Sequence, residues 1–212
     1  MSVEVPSGAS LRVVEKVVSL NPVTWNERVV RFLGVGLAAF GVGVIDSLIK
    51  GQGDGLLGAL SQVVVPWFLL AFLAGALNSE RRYLLGALAG FEATMLALLG
   101  FYVINSLIFP WFGGIVNVLL AGKVYFELGL VSGPLFGAFG AWWRQHLSLV
   151  PVIALGVAFV LEAVVRGLLT NGIFGYADQV AVIETVVGAL WIACALRTTV
   201  QLRHRHGLER AR

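Results

Sequence analysis

With 212 residues, of which 58% are hydrophobic and only 13% charged, the chain excludes a soluble globular fold, in which about a quarter of residues carry charge. A mean hydropathy of +0.87 with short polar connections leaves no room for a second, soluble domain, and the lone cysteine, Cys194, excludes an internal disulfide. The net charge of +3 would suit nucleic acid, but the basic residues flank apolar runs of about 20 residues, the length that crosses ~30 Å of hydrocarbon, and that placement argues against it.

Residues 1–27 read as a cytoplasmic arm. Glu4, Arg12, Glu15, Lys16 and Glu27 interrupt any apolar core, so no signal peptide is expected. Within the arm, SLRVVEKVVSL at 10–20 puts Leu11, Val14 and Val18 on one stripe beside Val13 and Val17, which predicts a short amphipathic helix on the inner leaflet. Thr24 and Glu27 form a capping-box pattern that opens the first span.

Six spans are predicted, at about 28–50, 55–77, 82–107, 121–143, 148–169 and 180–200, giving one all-α transmembrane domain over 28–200. The first ends on Asp46 and Lys50, one turn apart, a locally neutral pair. The second holds Gln62 and Pro66. The third holds Glu92, ~15 Å from its start, with no basic residue within a turn. As a single helix, Gly113 to Trp143 would run ~46 Å, so a break is expected around Gly122 and Lys123, with 111–120 a short outer-face or re-entrant segment. Trp111, Phe112, Tyr125 and Phe126 suit one aromatic belt, and Trp142 and Trp143 the other. Glu162 and Arg166 stand one turn apart in the fifth span, and Glu184 lies one turn into the sixth, which Asp178 caps. Residues 201–212 form a basic tail suited to anionic lipid.

An even number of spans puts both termini on one side. That side carries Arg12, Lys16, Arg28, Arg31, Arg81, Arg82, Arg144, Arg197, Arg203, Arg205, Arg210 and Arg212; the other carries only Lys50, Lys123 and Arg166. Twelve against three predicts cytoplasmic termini in a plasma-membrane protein. Asp46, Gln62, Asn105, Glu127, Glu162, Arg166 and Glu184 then crowd toward the outer face. Ionisable groups at membrane depth usually pair, line a wet cavity or act on a ligand. The expectation is an outward-facing polar pocket for a small solute, with Glu92, Glu162, Arg166 and Glu184 as its ligand-binding residues. Self-neutralisation of Glu162 by Arg166, and water contact for Glu184, are the bland readings of the same residues.

Gly129, Gly133 and Gly137 recur every four residues, as do Gly86 and Gly90. Such small-residue faces let helix backbones approach closely, either inside the bundle or against a partner. The alternative function is therefore an accessory or assembly subunit that docks another membrane protein, or a second copy, through these faces.

No catalytic constellation, metal set or cofactor motif is expected. His146, His204 and His206 all lie outside the spans, so Ser132 has no membrane histidine to activate it. Glu162-Ala-Val-Val-Arg166 resembles the core motif of CAAX-type intramembrane proteases, but Leu161 replaces that family's second glutamate and membrane histidines are absent.

The runs GPLFGAFGAWWR at 133–144, PWFLLAFLAGAL at 66–77 and GFY at 100–102 resemble a family of small bacterial integral membrane proteins known only as a domain of unknown function. The architecture is also similar to the substrate-binding S-components of energy-coupling-factor vitamin transporters. That resemblance implies outer-face solute binding and a docking ridge on the first span, where Gly34/Ala38 and Ala39/Gly43 stand. No vitamin-specific motif accompanies it.

Overall fold

The computed structural model describes residues 25–50, 55–60, 63–78, 82–108, 113–170 and 177–210, and every regular element among them is helical. In chain order these are α1 (Trp25–Lys50), α2 (Leu56–Leu60), α3 (Val65–Asn78), α4 (Tyr83–Ile108), α5 (Ile115–Ala121), α6 (Lys123–His146), α7 (Val150–Thr170) and α8 (Ala177–Arg210). The amphipathic arm at 10–20, Thr24, Gln62, Trp111 and Phe112 lie outside the described residues.

Among the described residues, four stretches are long and apolar enough to cross a membrane: Asn26–Lys50, Tyr83–Ile108, Lys123–His146 and Asp178–Gln201. Two shorter apolar stretches accompany them, Val65–Asn78 and Val150–Val165. The bundle's outer surface is apolar around its circumference, with Leu37, Leu84 and Val131 each at least 70% exposed. That is the surface hydrocarbon would cover.

The second predicted span departs from expectation. It is not one helix over 55–77 but two, α2 and the 14-residue α3. Pro66 accounts for the break, because its ring lacks an N–H and clashes with the carbonyl four residues earlier. At ~1.5 Å per residue, α3 covers ~21 Å, short of the hydrocarbon thickness. The break expected near Gly122 is present between α5 and α6. There Gly122 packs beneath Tyr102, whose ring carbons would lie within 2.7 Å of any added Cβ, so only glycine lets that ring close over the joint.

The central helix is α4, with α1, α3 and α6 packed around it and the α7–α8 hairpin beside α3 and α6. α1 runs parallel to α4: Gly36 abuts Glu92 and Leu96, and Gly43 abuts Ala97 and Phe101. α6 runs antiparallel, with Gly86 against Ala141, Gly90 against Gly133 and Gly137, and Gly129 against Met95 and Leu98. Gly75 of α3 meets the Gly137 backbone directly. Three helix backbones therefore converge at Gly137. An added Cβ at Gly90 would sit 2.6 Å from the Gly137 Cα.

Aromatic side chains fill the wider layers to either side. Phe72 packs with Val152, Leu155 and Phe159 between α3 and α7. Ala39, Ala74, Ala89, Ala93 and Ala97 let α1, α3 and α4 approach closely. Trp191 donates its indole N–H to the Val152 carbonyl at 3.2 Å, tying α8 to α7. The bundle thus has an arginine-bearing end (Arg28, Arg82, Arg144) and an opposite end carrying Lys50 and Lys123.

Candidate functional site

A cavity of about 370 Å³ opens at the end that carries Lys50, between the last turn of α1, the start of α3, the second half of α4 and the first half of α6. These four walls meet here above the glycine junction that draws α3, α4 and α6 together lower in the bundle. Trp67, Phe101 and Tyr102 form a continuous aromatic wall. Trp67 and Phe101 meet edge to face with centroids 6.2 Å apart, and Phe101 and Tyr102 do so at 5.1 Å. Edge-to-face contacts fix ring orientation as well as burying area.

Few polar groups interrupt this wall. Thr94 turns its hydroxyl back to the Gly90 carbonyl at 2.9 Å, so its donor is spent on its own helix. Lys50 holds its ammonium 5.2 Å from the Phe101 ring centroid, a cation–π placement. Asp46, one turn earlier, is half-buried, and its Oδ2 is shielded from solvent with no hydrogen-bond partner among the described residues. A shielded carboxylate oxygen without a donor is costly. Ser132 and Tyr125 add hydroxyls from α6. A mostly apolar pocket with a few convergent polar groups is the usual form of a small-molecule site.

The rim of the cavity is held from α7. Glu162 accepts the Val64 N–H on Oε1 at 2.7 Å and the Val65 N–H on Oε2 at 2.8 Å. The opening N–H groups of a helix have no partner within it, and lipid offers none. The carboxylate supplies two charge-assisted bonds and places negative charge at the positive end of the α3 dipole. Val63 and Val64 line the cavity, so Glu162 fixes the wall without entering the space.

The other sequence-predicted site residues lie elsewhere. Glu92 faces α1 across Gly36, where an added Cβ would come 2.8 Å from Oε1, and its Oε2 is shielded with no hydrogen-bond partner among the described residues. Glu184 is buried at 2% exposure on α8, one turn from Gly188, which packs on Gly156 and Phe159. The Arg166 side chain lies outside the described residues. Among the described residues, none of Glu92, Glu162 and Glu184 lines the cavity. Sequence reasoning passed over Asp46 because Lys50 stands one turn away and neutralises it on paper. The usable signal was the crowding of polar residues at this end.

The glycine faces are occupied within the chain. Gly129, Gly133 and Gly137 of α6 lie against Gly86, Gly90, Thr94 and Met95 of α4. On α1, Ala39 and Gly43 are buried, while Gly34 and Ala38 face outward. Among the described residues, no three His, Cys, Asp or Glu side chains converge as a metal set.

A family described as one of unknown function, DUF6518, matches residues 22–206. No curated protein and no solved structure matches.

Proposed function

We propose, for a chain that belongs to the DUF6518 family of unknown function, that it is a plasma-membrane protein which binds a small solute in the cavity at the Lys50 end and carries it inward from there. The observation that supports this reading best is the shielded Asp46 Oδ2, which has no donor among the described residues and stands at the edge of an aromatic-walled space. A solute with an N–H or O–H group would satisfy that oxygen. Its apolar body would lie against Trp67 and Phe101, with Lys50 near the mouth to meet any acceptor or anionic group it carries. A solute of this kind offsets the cost of shielding that oxygen from water.

In this reading the chain crosses the membrane six times, with α2 and α3 together as one broken crossing. The twelve-to-three distribution of Lys and Arg supports cytoplasmic termini and an outward-facing cavity. A broken helix at the wall of a membrane cavity is the element from which secondary transporters build their substrate sites. Here α3 is that element and Glu162 its clasp.

The test is a thermal-shift screen of the full-length protein in nanodiscs against small amines, amino acids, aromatic amphiphiles and small anions. At least one donor-bearing, partly apolar compound is expected to stabilise the protein, and Asp46→Asn to abolish that shift. No stabilisation by any class, or an unchanged shift in Asp46→Asn, would overturn the reading. Uptake into proteoliposomes then separates transport from binding alone.

A further inference from the structure

A second cavity, of about 380 Å³, lies at the arginine-bearing end, between the starts of α1 and α4 and the end of α3. Its polar lining is Arg28, Asn78 and Arg82, and its apolar lining includes Phe32, Leu33 and Leu85. Arg28 is half-buried with its Nε shielded from solvent, and Arg82 is exposed. Asn78 is buried and donates its amide to the Ala74 carbonyl at 3.0 Å, which fixes its position on α3.

Two guanidinium groups around one space favour a phosphate, because each planar fork can engage two of its oxygens. The first turns of α1 and α4 add positive potential from their dipoles. The apolar part of the lining is of no use to a free inorganic ion. It continues instead onto Leu33 and Leu84, both more than 60% exposed on the hydrocarbon-facing surface. Basic pockets between transmembrane helices on the cytoplasmic side are suited to phospholipid headgroups.

We propose that this cavity holds the phosphate headgroup of an anionic membrane lipid, with Arg28 and Arg82 on the phosphate and an acyl chain along Leu33 and Leu85. The site joins α1 to α4 at the inner leaflet, whatever the other cavity takes.

The test uses full-length protein in phosphatidylcholine nanodiscs with and without phosphatidylglycerol, with retained lipid identified by native mass spectrometry. Retention of phosphatidylglycerol over phosphatidylcholine is expected, and Arg28→Gln with Arg82→Gln is expected to weaken it about tenfold or more. Lys123→Gln, at the opposite end of the bundle and outside the lining of this cavity, is expected to leave that retention unchanged. Inorganic phosphate and glycerol phosphate serve as competitors; displacement by either at concentrations matching the lipid would overturn the lipid assignment. If the double arginine variant fails to fold, a photo-crosslinking phosphatidylglycerol on the unaltered protein decides. Adducts at 28–33 and 82–88 support the site, and adducts confined to other segments overturn it. Equal retention by the unaltered protein and the folded double variant would overturn it as well.

Discussion

Glu162 marks how far single residues could be read. The sequence offers Arg166 as its partner one turn away, and the motif invites either self-neutralisation or ligand binding. The structure puts both carboxylate oxygens on backbone N–H groups of Val64 and Val65, 98 and 97 positions away, and no local pattern announces a partner that is main chain. Glu162→Gln keeps the shape but turns one acceptor into a donor facing an N–H. Loss of a charge-assisted pair of this kind is expected to cost ~1–3 kcal/mol, read as a lower midpoint in thermal unfolding. An unchanged midpoint would mean that α3 holds its start without the clasp. Asp46 was hidden for the opposite reason. Its local partner was visible at Lys50, and only the folded chain shows that ammonium above Phe101. Asp46→Asn replaces the shielded oxygen's charge with an amide, so the protein without solute is expected to gain stability, by about 1 kcal/mol or more, while it loses solute binding. That opposition separates a site residue from a structural one, because a structural carboxylate would lose stability when neutralised.

At the scale of elements, the sequence was most legible where composition is uniform and least where one residue interrupts it. The third predicted span, 82–107, differs from α4 by a single residue at each end, since nothing within it opposes a helix. The second failed because a window of about 20 residues averages over Pro66 and reports hydropathy, not continuity. Gly122 was legible through length alone, as no single helix from 113 to 143 fits the bilayer. The glycine ridge on α6 was visible as a pattern but not as an address: spacing says that something packs there, and only the fold says that it is α4. Gly137→Ala tests that packing. Its new Cβ would meet the backbone of Gly86 and the Gly90 Cα, 2.9 Å away, neither of which can turn aside. A loss of ~2–3 kcal/mol is expected from overpacking. Gly34→Ala is the paired control, with no atom within 4 Å of the new methyl. It is expected to be neutral or to stabilise by up to ~1 kcal/mol, the helix propensity difference. Equal losses in the two variants would assign the effect to glycine content in general and not to the junction.

Across the whole molecule, one asymmetry organises the reading. Arginine gathers at one end of the bundle, and uncompensated polar oxygen, with its cavity, at the other. The first half of that asymmetry was legible from counting, because Lys and Arg near span ends report the cytoplasmic side. The second was legible only as a crowding, since Asp46 comes from α1 and Ser132 and Tyr125 from α6, and the two helices meet through packing around residues far below them. Orientation is the claim on which the outward cavity stands, and thiol labelling tests it directly. In a Cys194→Ala background, Ser132→Cys is expected to react with a membrane-impermeant maleimide on intact cells, and Arg82→Cys only after permeabilisation. A stabilising solute should slow labelling at 132 and leave 82 unaffected, because the two positions line cavities at opposite ends. Labelling at 82 without permeabilisation, with protection at 132, would reverse the orientation. The arginine cavity would then face outward, and the Lys50 cavity would receive its solute from the cytoplasm.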